Sequence, residues 1–136
     1  DEVHAQPSWE LWNVLSLAGG ARADSLLLGI TTAGVKTQSN GQDSLCYSLY
    51  QYGQRVVKGE TKDPSFFFSW WEPTQPDADH RDEALWVEAN PGFSDIVDKE
   101  EMQSAVLRTP EAEFRTKRLN CSNGRRTTNS ASSRRV

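Results

Sequence analysis

Ser25-Leu26-Leu27-Leu28-Gly29-Ile30 is a nearly continuous apolar run, and Thr31-Thr32-Ala33-Gly34 follows it directly. A short apolar run of this kind is typical of a strand that is covered on both faces of a parallel sheet. The β-branched threonines suit the end of such a strand. We therefore expect a buried strand over residues 25–30.

The residues before this run predict a helix. Trp9 to Leu17 carries apolar side chains at helical spacing, begins near Pro7 and Ser8, and ends at Gly19-Gly20. With the acidic segment at the start of the chain placed at the end of a preceding strand, the order becomes strand, helix, strand. The sequence thus predicts an α/β fold with parallel strands and flanking helices.

The chain opens with Asp1-Glu2-Val3-His4, an acidic pair that resembles the end of a Walker B strand. Hydrolysis of a phosphoanhydride needs a cation on the phosphates and a group that orients the attacking water. Because Mg²⁺ keeps most of its waters, Asp1 is expected to hold a metal-bound water while Glu2 acts on the nucleophile. The alternative is that Asp1 and Glu2 are a solvated surface pair. For His4 we favour a hydrogen-bonded loop residue over a residue that contacts the nucleotide.

In a parallel sheet, ligands collect at the carboxyl ends of the strands. Thr31 and Thr32 would emerge at the same edge as Asp1 and Glu2, where their hydroxyls could sense the γ-phosphate. The alternative is that the two threonines only end a strand.

Further elements follow along the chain. Helices are expected over residues 44–58, from Asp82 through Ala89, and after Asp98, with Thr109-Pro110 between the last of these and the next. Phe66-Phe67-Phe68-Ser69-Trp70-Trp71 is interpreted as a second strand that belongs to the core. The alternative, an aromatic platform for DNA bases, is less favoured because the run contains no basic residue.

Several of these motifs together resemble the large terminase subunit of tailed bacteriophages, over nearly all of residues 1–120. Besides residues 1–7, 10–12 and 28–34, the resemblance includes Cys46-Tyr47-Ser48-Leu49-Tyr50, Asp63-Pro64-Ser65-Phe66-Phe67, Ala84-Leu85-Trp86, Ala89-Asn90-Pro91, Glu113-Phe114-Arg115 and Arg118-Leu119-Asn120.

The resemblance implies that residues 1–119 are the C-terminal part of a P-loop ATPase domain of the ASCE type, whose phosphate-binding half is missing. It implies ATP and Mg²⁺ as cofactors, with Asp1 as the magnesium residue and Glu2 as the catalytic glutamate. Thr31 to Gly34 would be the coupling motif, with Gly34 beside the nucleotide. The implied partners are double-stranded DNA, the small terminase subunit and the portal protein, in the cytoplasm of a bacterial host.

Two parts of that family are missing from the sequence. No Gly-x-x-x-x-Gly-Lys-Ser/Thr loop occurs, and this loop would bind the phosphates. The metal-dependent nuclease domain of the family would begin beyond the region of resemblance. We therefore predict that the 136-residue chain alone does not hydrolyse ATP.

The segment 120–136 differs in composition, since it contains four arginines, no acidic residue and mostly small polar residues. A basic arm can bind phosphates without sequence preference. We favour a different origin, a change of reading frame near codon 120, and expect this segment to lack order.

Other function classes are less well supported. No run approaches the roughly 18 apolar residues of a membrane span, and Cys46 and Cys121 lack the paired spacing of a zinc or redox motif. A helicase of the Asp-Glu-x-His type would share the carboxylates, but Thr31-Thr32-Ala33-Gly34 does not match its usual Ser/Thr-Ala-Thr motif. A non-catalytic DNA-binding remnant would rely on the arginines of the last segment.

Overall fold

A computed structural model describes residues 1–124, and these residues form helices without any β-strand. The helices are α1 (Glu10–Ala18), α2 (Leu45–Val57), α3 (Glu83–Ala89), α4 (Lys99–Arg108) and α5 (Glu111–Arg118), with short 3₁₀ turns at Val3–Ala5 and Gly19–Ala21. The predicted α/β fold with parallel strands is therefore wrong for the described part of the chain.

The predicted strand over residues 25–30 is the first error. Within residues 1–124 the strand-like pairing is limited to isolated bridges, Val35 with Asn123, Thr37 with Asp43 and Phe93 with Val97, and none of these involves the apolar run. Leu26 is 87% exposed, and Leu28 and Ile30 are exposed as well. A strand needs a neighbour to pair with its N–H and C=O groups, and residues 1–124 supply none to this segment.

The second predicted strand, residues 66–71, is also wrong, and so is its assignment to the core. Phe66, Phe68 and Trp70 stack along one side, with ring centroids 6.4 and 4.9 Å apart. Phe67 is 88% exposed. Alternate side chains lie on opposite sides of this segment, as in a strand. The segment nevertheless packs against α2 and does not pair with another strand. At the contact, a Cβ on Gly53 would lie 2.2 Å from the Phe68 ring, so α2 needs glycine there.

The predicted helices are confirmed. They could be predicted because the signals for their ends lie in the local sequence. The side chains of Ser44, Asp82 and Asp98 each accept a backbone N–H in the first turn of α2, α3 and α4. After α2, Gly59 adopts a positive φ of 76°, which glycine reaches without steric cost. Local capping signals in the sequence thus predicted these helices correctly.

The buried core lies among α3, α4 and α5. It consists of Leu85, Trp86, Ala89, Met102, Ala105, Val106, Phe114 and Leu119. The Trp86 indole N–H donates to the His80 carbonyl at 2.8 Å, so the one polar atom of this side chain is satisfied. By contrast, α1 buries none of its residues.

Residues 120–124 return to the N-terminal half of the chain. Asn123 N–H donates to the Gly34 carbonyl and the Asn123 carbonyl accepts from Lys36 N–H, both at 2.9 Å. Cys121 N–H donates to the Arg115 carbonyl. The rest of the basic segment, residues 125–136, lies outside the described residues, as do the predictions made for it.

Candidate functional site

The imidazole of His4 joins the two segments that the sequence selected. His4 Nδ1 lies 3.0 Å from Glu2 Oε2 and 3.0 Å from Thr31 Oγ1. The backbone N–H of His4 also donates to Thr31 Oγ1 at 3.0 Å. Glu2 and Thr31 are 29 positions apart in the sequence, and a single side chain holds both.

The hydrogen bonds define the tautomer of His4. The Thr31 hydroxyl donates to the Thr32 carbonyl at 2.7 Å, so its oxygen is an acceptor toward His4. A carboxylate oxygen of Glu2 can only accept. In a neutral imidazole Nδ1 would therefore carry the proton, which would leave Nε2 as an acceptor.

The side chain of Lys117 contacts His4 Nε2. Its ammonium group lies at hydrogen-bond contact with His4 Nε2, and it comes from the last turn of α5, 113 positions away. An ammonium is a donor only, which agrees with the tautomer derived from the other side of the ring. Sequence reasoning missed Lys117, because its neighbours in α5 predict only an ordinary basic helix C-terminus.

Glu2 has an unusual backbone. Its φ of 53° and ψ of 48° lie in the left-handed region, where a residue with a Cβ is disfavoured by roughly 1–2 kcal/mol. The Glu2 N–H donates to Asp1 Oδ1 at 2.9 Å. The Glu2 carboxylate remains 59% exposed. The turn therefore directs a solvent-accessible carboxylate toward His4 at a conformational cost.

Gly34 lets the threonine segment approach His4. A Cβ on Gly34 would lie 2.8 Å from the Cβ of His4, closer than side chains tolerate. The predicted site residues Glu2, Thr31 and Gly34 thus meet around one imidazole. Among residues 1–124, the Asp1 side chain is linked to this group through its hydrogen bond from the Glu2 backbone N–H.

Thr32 occupies a different environment from Thr31. Its hydroxyl oxygen is buried and has no hydrogen-bond partner within residues 1–124, while its carbonyl lies 3.9 Å from Cys46 Sγ. Burial raises the pKa of the Cys46 thiol, whereas Thr31 and the charge of Lys117 act in the opposite direction. An unpartnered buried hydroxyl costs about 1–3 kcal/mol, and such groups are rare outside functional or strained sites.

Metal-binding side chains do not cluster in the described part of the chain. No group of three or more His, Cys, Asp or Glu residues is placed to hold a metal ion there. A Mg²⁺ ion that keeps its waters needs only one or two carboxylates. The exposed Asp1 carboxylate is compatible with such outer contact.

Comparison with protein-family models, with curated proteins and with solved structures gives no match. No helix described for residues 1–124 is long and apolar enough to cross a lipid bilayer. The family expectation therefore depends on the sequence motifs and on the contacts around His4.

A test of this arrangement is the substitution Gly34→Ala. The added methyl group meets the His4 Cβ, which cannot rotate away, so we expect the free energy of unfolding to fall by about 1–3 kcal/mol. Gly20→Ala is the matched control, since a Cβ there meets nothing within 4 Å. Urea unfolding of both variants gives the comparison, and equal stabilities would contradict the packing described for Gly34.

Proposed function

We propose that this chain is part of the large terminase subunit of a tailed bacteriophage, the ATP-driven motor that packages double-stranded DNA into capsids. The observation that carries the proposal is the His4 imidazole, which bonds to both Glu2 and Thr31. A hydrolytic carboxylate and a coupling segment would need such a direct connection. None of these contacts requires a sheet.

Glu2 is the residue that would orient the attacking water. Its carboxylate is exposed, and one oxygen is held by His4, which leaves the other available to accept a proton from water. The left-handed backbone at Glu2 is in keeping with this role, because strained residues concentrate at functional sites.

Asp1 is the residue that would address the metal. Mg²⁺ bound to ATP would neutralise charge on the β- and γ-phosphates during hydrolysis. The Asp1 carboxylate is exposed and engaged only by the neighbouring Glu2 N–H within the described residues. It can therefore accept a hydrogen bond from a metal-bound water.

Thr31 and Thr32 would sense the state of the hydrolytic carboxylate. A displacement of the Glu2 side chain changes the acceptors of His4 Nδ1, and the same ring nitrogen contacts Thr31. Lys117 on the far side of the imidazole would extend this response to α5. Hydrolysis would in this way be linked to movement of residues 31–34 and of α5.

The proposed partners are double-stranded DNA, the small terminase subunit and the portal protein, and the proposed location is the cytoplasm of the bacterial host. The gene itself provides the test. A phosphate-binding loop of the Gly-x-x-x-x-Gly-Lys-Ser/Thr type encoded in frame before Asp1, together with a neighbouring portal gene, would support the assignment. A complete reading frame without that loop, in a locus without packaging genes, would overturn it.

A further inference from the structure

A cleft of about 610 Å³ lies away from the His4 group, between α2, residues 70–76 and the segment at Cys121-Ser122. Its walls include three aromatic rings, those of Tyr47, Tyr50 and Trp70. Its polar groups include one carboxylate, Glu72, and one ammonium, Lys36. A volume of this order is in the range of small-molecule sites.

The aromatic walls have fixed orientations. Tyr47 and Tyr50 stack with ring centroids 6.1 Å apart and planes 19° apart. Trp70 meets Tyr50 edge-on, with centroids 6.4 Å apart. The Trp70 ring is supported from behind by Phe68, 4.9 Å away. The cleft therefore presents rigid ring surfaces.

Hydrogen bonds to Glu72 lock these rings. The Tyr50 hydroxyl donates to Glu72 Oε1 at 2.5 Å, and the Trp70 indole N–H donates to the same oxygen at 3.1 Å. Gln54 Nε2 in turn donates to the Tyr50 hydroxyl at 2.8 Å. Burial and the neighbouring Glu72 raise the pKa of the Tyr50 phenol, so that it stays a donor.

Two charges in the cleft are not paired with each other. Glu72 Oε2 accepts no hydrogen bond within residues 1–124, and neither Glu72 nor Lys36 forms an ion pair there. The Lys36 ammonium lies 5.6 Å from the Tyr47 ring centroid. A ligand that suits this cleft needs a flat ring, N–H donors for Glu72 and negative charge for Lys36.

We propose that this cleft binds a guanine nucleotide unit, stacked on the aromatic wall, with its base N–H groups donating to Glu72 Oε2 and its phosphate toward Lys36. Guanine presents a ring N–H and an exocyclic amino group side by side, and an ionised carboxylate is an acceptor only. Adenine presents one donor, its amino group, on the corresponding edge, and its N1 beside that group is an acceptor that would face the carboxylate. A purely cationic ligand is disfavoured because Lys36 already lines the cleft.

The experiment is a titration of the full 136-residue chain with GMP, followed by the NMR signal of the Trp70 indole N–H. This signal is assigned by its absence from the spectrum of the Trp70→Phe variant. We expect a saturable shift with GMP, and binding of AMP that is weaker by about tenfold, which corresponds to one charge-assisted hydrogen bond. No saturable shift with GMP, or equal affinity for GMP and AMP, would overturn the proposal.

Two variants identify the polar contacts. Glu72→Gln should weaken GMP binding by about tenfold or more and remove the preference over AMP. Lys36→Met keeps Glu72. It should lower the affinity for GMP and leave the affinity for guanosine, which has no phosphate, unchanged. Lys62→Met, an exposed lysine outside the cleft, is the control. If Glu72→Gln loses its fold by circular dichroism, the Lys36→Met result decides by itself.

A guanine nucleotide could be free or part of a nucleic acid strand. To distinguish these sources, the affinity for a trinucleotide with a central dG flanked by dT is compared with the affinity for GMP. Self-complementary duplex DNA, in which the guanines are paired, serves as the negative control. Tighter binding of the trinucleotide would identify unpaired DNA or RNA, and tighter binding of GMP a free nucleotide. Glu2→Gln should leave GMP binding unchanged, so this site and the proposed motor site can fail independently.

Discussion

Replacing Phe114 with alanine is expected to lower the free energy of unfolding by about 3–5 kcal/mol, the usual cost of removing a fully buried aromatic side chain. The Phe114 side chain has 0% exposure and contacts Trp86, whose ring centroid is 6.1 Å away. It also joins α5 to the core residues of α3 and α4. Loss of the ring would leave a cavity at the centre of the only core that these three helices share.

Phe67→Ala is the matched control, because it removes the same atoms from a side chain that is 88% exposed. We expect a change within about 0.5 kcal/mol for this variant. Urea unfolding followed by circular dichroism gives both values. Similar destabilisation by the two variants would contradict the exposed position of the Phe67 side chain.

The helices could be predicted from the sequence because their signals are local. A capping side chain such as Asp82 or Asp98, a stop such as Gly59, and a 3.6-residue period all lie within one element. Strands could not be predicted reliably, because a strand depends on a partner elsewhere in the chain. Residues 25–30 have the composition of a strand, but residues 1–124 place no partner beside them.

The candidate site also combines residues that local sequence patterns identify with residues that only the folded chain brings together. Asp1, Glu2, Thr31, Thr32 and Gly34 were selected from the sequence motifs and the family resemblance, and the structure gathers Glu2, Thr31 and Gly34 around His4. Lys117 could not be selected, because its contact with His4 spans 113 positions and depends on how α5 packs. The same holds for Lys36 and Glu72, which face one cleft only once α2 and residues 70–76 are in place.

Glu2→Gln carries the largest expected effect on activity. If the proposed function holds, in a protein that carries this chain together with a phosphate-binding loop, we expect DNA-stimulated ATP hydrolysis to fall by about 10²- to 10⁴-fold, the usual contribution of a positioned general base. Glutamine has the same shape, and its side-chain oxygen still accepts from His4 Nδ1, so the turn at residues 1–4 should persist. What is lost is the basic oxygen that would take a proton from water.

Glu10→Gln is the control for this experiment, since Glu10 is an exposed carboxylate at the start of α1. It should leave hydrolysis unchanged, and the 136-residue chain alone should show no turnover because it lacks a phosphate-binding loop. Under the proposed function His4 would only position the carboxylate, so His4→Ala should reduce hydrolysis less than Glu2→Gln. Full activity of Glu2→Gln would remove Glu2 from the catalytic role, whereas turnover by the 136-residue chain that depends on Glu2 would show that the phosphates are bound by residues other than such a loop.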